Sequence, residues 1–183
     1  MEIQFIHACE KGDLELAQQL FYNNNINIST NNEEAFRYAC YHGHLQVAQG
    51  LLYVKPNINI SADNEQTFRD VCYFGHLQVA QWLLSVKPDI NISAKDDYAF
   101  HWACYYGHLQ VAQWLQTLKP YLYIINYNKD GTYKSYHIRT KEEEQRLKQR
   151  IHALWLASDT TPNKNNILHQ LPQDISRLII SYI

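Results

Sequence analysis

The 183-residue chain has no apolar run near the ~18 residues that a membrane-spanning helix needs, so a membrane anchor is not expected. Its formal net charge is only −2. It therefore lacks the basic excess with which a general nucleic-acid binder neutralises phosphates. The opening MEIQFIHACEKGD lacks the basic start and long apolar stretch of a secretory leader. The expectation is a cytoplasmic protein that folds where it is made. Motifs of catalysis are missing too: no Gly-rich phosphate loop, no His-Glu-x-x-His, no nucleophile elbow. No set of nucleophile, base and orienting group is readable. The chain is thus expected to be no enzyme, with no catalytic residue and no cofactor.

What the chain does have is regular spacing. Its four cysteines, Cys9, Cys40, Cys72 and Cys104, recur every 31 or 32 residues. A spacing of that size marks a structural repeat rather than a disulfide framework. Aligned on glycine, the segments are Gly12-Asp-Leu-Glu-Leu-Ala-Gln and three copies of Gly-His-Leu-Gln-Val-Ala-Gln, beginning at Gly43, Gly75 and Gly107. Before each glycine lies a second helical stretch, ending Ala-Cys-Glu-Lys, Ala-Cys-Tyr-His, Val-Cys-Tyr-Phe and Ala-Cys-Tyr-Tyr.

Each unit reads as helix, tight turn, helix and extended loop. Phe36, Ala39 and Cys40 fall at i, i+3 and i+4, the buried stripe of a short helix. Leu45, Ala48, Leu51 and Leu52 give the second helix its stripe. Glycine suits the turn because it accepts positive φ. Lys55-Pro56 ends the second helix. Ile58 and Ile60 then alternate with Asn57 and Asn59 in an extended pattern. One unit cannot bury its apolar face alone, but stacked neighbours can. The first unit has Asp13 for histidine and Glu15 for glutamine, as a polar end cap would.

Ala-Cys-x-x-Gly-His-Leu-x-Val-Ala-x-x-Leu-Leu, followed by Asp-Ile-Asn, resembles the ankyrin repeat. The resemblance covers residues 1–119 in four units of about 1–31, 32–63, 64–95 and 96–119. The family's Thr-Pro-Leu-His opening is replaced by Glu34-Ala-Phe-Arg37, Gln66-Thr-Phe-Arg69 and Tyr98-Ala-Phe-His101, and Lys-Pro stands where Gly-Ala is usual. This Phe-Arg/His variant, with its Asn-, Ile- and Tyr-rich loops, is similar to the ankyrin proteins of giant DNA viruses, which would place it in host cytoplasm. The implied fold class is mainly α: a solenoid of about four helix-turn-helix repeats, then a β-hairpin and two helices. The implied function is protein–protein interaction.

The remaining residues, 120–183, form a separate C-terminal module. Tyr121–Tyr127 is rich in aromatic and β-branched residues, as strands are. Asn128-Lys-Asp-Gly131 is a turn signal that favours a tight hairpin over 121–139. Thr140 and Glu143 form a capping box for a helix over 140–157, with Leu147, Ile151, Leu154 and Trp155 as its stripe. A polar linker (158–166) precedes a final helix (171–183). Its Leu171, Pro172, Ile175 and Ile179 resemble the start of an F-box, which docks substrate receptors onto a ubiquitin-ligase adaptor. A helix that merely caps the stack has the same pattern.

Two candidate sites compete with plain architecture. Cys40/His44, Cys72/His76 and Cys104/His108 repeat a Cys-x3-His spacing. Equivalent residues of successive repeats should stand about one helix layer apart, ~10 Å, too far to surround one ion. No metal site is expected. The aromatic positions before each glycine say more: Tyr41 and His42, Tyr73 and Phe74, Tyr105 and Tyr106. The family resemblance places them on the concave face, where ankyrin proteins bind partners. Tyrosine supplies rigid contact area with one polar handle. Packing of these rings on one another is the alternative. The loop residues Asp63, Glu65, Lys95 and Asp97 complete the expected partner-binding set.

Overall fold

The computed structural model describes residues 1–24, 26 and 30–158. Eight helices come first: α1 (Glu2–Lys11), α2 (Leu14–Asn24), α3 (Thr30–Tyr41), α4 (Leu45–Val54), α5 (Ala62–Tyr73), α6 (Leu77–Val86), α7 (Ala94–Tyr105) and α8 (Leu109–Leu118). A hairpin follows, β1 (Tyr123–Tyr127) and β2 (Tyr133–Ile138), and then α9 (Lys141–Ser158). The chain divides into two compact units, Met1–Ala112 and Gln113–Ile183. The division falls inside α8 rather than after it. The linker and final helix expected over 158–183 lie outside the described residues, Ser158 excepted.

In the first unit each odd-numbered helix packs on the next odd-numbered one, α1 on α3, α3 on α5 and α5 on α7. The buried stripe is the expected one. Phe5, Ala8 and Cys9, Phe36, Ala39 and Cys40, Phe68, Val71 and Cys72, and Phe100, Ala103 and Cys104 are all shielded from solvent. The second helices bury a slightly different set. Val47, Ala48 and Leu51 are the deepest residues of α4, with Leu45 and Leu52 only half-buried. The stripe is rotated by the neighbour against which it packs, which a periodicity cannot specify.

The turn glycines Gly12, Gly43, Gly75 and Gly107 have φ between 75 and 80°. Helices α4 and α6 stop at Lys55 and Lys87, where φ leaves the helical region before Pro56 and Pro88. The alternating isoleucines do not make strands. Ile58, Ile60, Ile90 and Ile92 turn inward and are buried, while their asparagine neighbours face out. The chain then passes through a left-handed turn, Asp63-Asn64-Glu65 and again Lys95-Asp96-Asp97, with φ of 53–62°. Left-handed backbone costs a non-glycine residue roughly 1–2 kcal/mol, so these turns need support from side chains.

That support comes from one repeated acidic position. Glu33 accepts the Lys55 ammonium at 2.8 Å and the Asn59 backbone N–H at 2.6 Å. Glu65 accepts the Asn91 N–H at 3.3 Å. Arg69 donates to the carbonyls of Asp63 and Asn64 at 3.1 and 3.0 Å.

In the second unit, β1 and β2 pair antiparallel, from Tyr123 opposite Ile138 to Tyr127 opposite Tyr133, with a bulge at Asn126/Tyr127. The connection, Asn128 to Thr132, is longer than the tight turn that Asp-Gly suggested. Gly131 takes φ of 84°, and Asp130 accepts the Thr132 N–H at 2.9 Å. Tyr123 is fully buried. The capping box forms as expected. Glu143 accepts the Thr140 N–H at 2.8 Å, and Thr140 Oγ1 accepts the Glu143 N–H at 3.2 Å.

Candidate protein-binding face

The aromatic positions at the ends of α3, α5 and α7 meet across repeats along a diagonal. Tyr41 touches Phe74 of the following repeat, with ring centroids 4.3 Å apart. Tyr73 touches Tyr106 in the same way at 4.7 Å. Within a repeat the rings meet edge to face, Tyr41 with His42, Tyr73 with Phe74 and Tyr105 with Tyr106. All six positions thus belong to one continuous ladder. Of the two alternatives read from the sequence, the packing of the rings on one another is seen, and part of the ladder also faces solvent.

Exposure is graded. Tyr41, Tyr73 and Phe74 are half-buried, whereas Tyr105 is 66% and Tyr106 47% exposed. The cause is register. A ring at the first position is covered by the second-position ring of the next repeat, and no further repeat follows Tyr105. Tyr98 and Trp102 broaden this end. Trp102 stacks on Tyr106 at 5.6 Å and meets Tyr73 at 5.8 Å. Arg69 lies over the Tyr98 ring at 5.1 Å, a cation–π contact. Tyr98, Trp102 and Tyr106 lie four residues apart, so their common face was legible as a helical stripe.

Polar contacts tune the end of the ladder. The Tyr73 and Tyr106 hydroxyls share a hydrogen bond at 2.9 Å; with Tyr106 donating, it favours the neutral phenol and raises Tyr106 above its ordinary value. Tyr98 is raised by desolvation and then by the charge of Asp70. Asp70 is itself raised by burial. His42 approaches Glu10 at 3.7 Å.

The loop residues part company. Asp63 and Lys95 are exposed and Asp97 is partly exposed. Glu65 is only 9% exposed. Its expected place among surface partner contacts is therefore corrected. The left-handed turn points its carboxylate inward, to bond the next loop's backbone. Leu171, Pro172, Ile175 and Ile179 lie outside the described residues.

The repeated histidines do more than occupy a turn. His44 bonds the Glu10 carbonyl at 2.9 Å, and His76 bonds the Tyr41 carbonyl at 3.0 Å. Each imidazole covers the turn glycine of the preceding repeat. A Cβ on Gly12, Gly43 or Gly75 would come within 2.5–2.6 Å of His44, His76 or His108 Nδ1. The histidine is an inter-repeat lock. In the first unit Asp13 stands at this position and accepts the Leu16 N–H at 2.9 Å as a helix cap. That substitution was the available signal. Burial pushes the Cys9 and Cys104 thiols up to about 12 and those of Cys40 and Cys72 higher still. All four behave as small apolar core residues.

Paired helices stacked through a shared core, with an aromatic face along one row of helix ends, define the class of protein: a helical repeat scaffold for interaction. The family model for ankyrin repeats (many copies) matches residues 5–52 and 69–116, more than half of the chain; the chain belongs to the ankyrin repeat family. Among solved structures it is similar to an ankyrin repeat family protein from Legionella pneumophila, at 30% identity and a TM-score of 0.58. The match covers 63% of this chain and 36% of that one, so the present chain spans little more than a third of its relative's length. No curated protein matches the chain. The ankyrin fold is in general a non-catalytic scaffold for binding proteins.

Proposed function

We propose that the chain binds a partner protein through the aromatic ladder, with Tyr105 and Tyr106 as its anchoring end. The observation that carries this reading is the graded exposure. Tyr41, Tyr73 and Phe74 are half-buried and His42 is exposed, whereas both rings of the last pair, tyrosines 66% and 47% exposed, face solvent beside a stacked Trp102. Half-exposed rigid aromatics held by their neighbours are the usual anchors of interfaces. Asp63, Lys95 and Asp97 supply charged contacts beside them.

Affinity purification from the native host cell tests it. Replacing Tyr105 and Tyr106 together by alanine should abolish capture of the partner while helical content and unfolding midpoint stay close to the parent. Undiminished capture would overturn the reading.

A second reading is favoured by the Leu171-Pro-Gln-Asp-Ile motif. Leu171, Pro172, Ile175 and Ile179 would dock a ubiquitin-ligase adaptor, and the repeats would recruit its substrate. Removal of residues 167–183 should then lose a ligase component from the purified complex; loss of none rejects it. The Phe-Arg/His variant of the repeat supports an origin among giant-virus ankyrin proteins and action in host cytoplasm.

A further inference from the structure

The end of α7 crowds four rings, His101, Trp102, Tyr105 and Tyr106, into two sets of nearly parallel planes. His101 lies within 12° of the Tyr105 plane, with centroids 6.5 Å apart. Trp102 lies 23° from Tyr106 at 5.6 Å. The two sets stand almost at right angles. Tyr105 meets Trp102 at 76° and 5.2 Å, and Tyr106 at 82° and 5.1 Å. The result is a corner that presents aromatic planes in two directions, beside the exposed Tyr105.

The faces of such rings are negative and attract cations. The chain already uses one of them in this way. The Arg69 guanidinium lies over Tyr98 at 5.1 Å, and Tyr98 in turn meets Trp102 at 5.7 Å. The surroundings are acidic as well. Helices α5 and α7 together carry five acidic residues against two basic ones, Arg69 and Lys95. Asp70 is close enough to raise Tyr98 by its charge. Gln66, Arg69 and Arg37 all lower the Asp70 carboxyl, yet burial outweighs them and leaves it raised. Its negative charge is thus incompletely offset within the chain, and a further cation would stabilise it.

We propose that the corner at Tyr105 receives an arginine side chain of the bound partner protein, stacked on Tyr105 and Trp102, with Asp70 and the acidic excess of α5 and α7 offsetting its charge. This rests on the reading of Tyr105 and Tyr106 as the anchoring end of the ladder, and adds the chemistry of what they anchor. A planar guanidinium fits better than an ammonium, because it stacks flat on a ring and keeps its N–H donors for a carboxylate.

The test is an NMR titration of the full chain with acetyl-arginine amide, acetyl-lysine amide and acetyl-citrulline amide, the last an uncharged isostere of arginine. The indole N–H of Trp102, assigned by its loss in Trp102→Phe, reports binding. Saturable shifts are expected with arginine, several-fold weaker binding with lysine, and none with citrulline. Asp70→Asn should weaken arginine binding several-fold without lowering the unfolding midpoint, since the fold already disfavours its charge. Tyr105→Leu, which keeps apolar bulk but removes the ring, should also weaken it several-fold. The proposal is overturned if arginine gives no saturable shift, if lysine or citrulline binds as tightly, or if both variants bind arginine undiminished. Partner capture separates it from the reading beneath it. Capture lost in the Tyr105/Tyr106 alanine pair without any preference for arginine keeps the binding face and discards the arginine, whereas undiminished capture discards the face.

Discussion

The Tyr73 and Tyr106 hydroxyls share one hydrogen bond across 2.9 Å, joining two successive repeats at the exposed end of the ladder, and with Tyr106 donating it holds the Tyr106 proton in place. This bond is the leading cause of the raised Tyr106 phenol. An acid whose folded value is raised contributes stability below its ordinary value, here 10.0, and loses it as pH climbs through the folded value. Tyr73→Phe should therefore bring Tyr106 back toward 10.0 in an ultraviolet titration of the phenols. The ring stacking should survive, so the unfolding midpoint at neutral pH should move little.

Gly43 and Gly107 share left-handed backbone, with φ of 79 and 76°, but not their surroundings. A Cβ on Gly43 would lie 2.6 Å from His76 Nδ1, whereas one on Gly107 meets nothing within 4 Å. Either alanine substitution should cost roughly 1–2 kcal/mol for the backbone alone. Gly43→Ala should cost about 1–3 kcal/mol more, because the ring of the next repeat must move. Urea unfolding of the two variants measures the difference. Equal losses would mean that the imidazole gives way freely.

His76 is lowered by desolvation first, with smaller contributions from His108, His42 and His44, against a raising bond to the Tyr41 carbonyl. For a base whose folded value is depressed, the unfolded chain binds the proton more readily. Stability is then full above the ordinary value of 6.5 and is lost as pH falls below it. Thermal unfolding midpoints of the parent should decline on acidification from neutral pH through that value. In His76→Gln the decline should be shallower, at the cost of a lower midpoint at neutral pH.

Glu33 and Glu65 are equivalent by repeat, yet only Glu33 binds its lysine. Lys55 pairs with Glu33 at 2.8 Å, whereas Lys87 turns to Asp89 at 2.9 Å. Among the described residues, Glu65 Oε2 is buried and has no hydrogen-bond partner. Asn57 stands where Asp89 stands one repeat later. Asp89→Asn should free Lys87 to reach Glu65 and raise the unfolding midpoint, since an unpaired buried carboxylate is costly. The rise should vanish when Glu65→Gln is added. A lower midpoint in the single variant would refute this account.

Much of this architecture could be read directly from residue order. The 31- or 32-residue recurrence of cysteine and glycine located the helix pairs, and Phe36, Ala39 and Cys40 marked the buried stripe, because helical periodicity is local. Thr140 and Glu143 announced the start of α9 for the same reason, since a capping box is closed within four residues. The ladder positions Tyr41 to Tyr106 were legible as aromatics at equivalent places. The diagonal by which Tyr41 meets Phe74, and Tyr73 meets Tyr106, was not.

The sequence by itself determined the unit: helix, glycine turn, helix and loop, four times over, then a hairpin and a capped helix. Only the tertiary structure decided what each unit does to its neighbour. It turned Glu65 inward, made His44 and His76 locks on the preceding repeat, and left Tyr105 uncovered. These contacts join residues about one repeat apart in the chain. Their geometry is set by the offset with which one helix pair seats on the next, and a periodic pattern fixes the spacing of residues without fixing that offset.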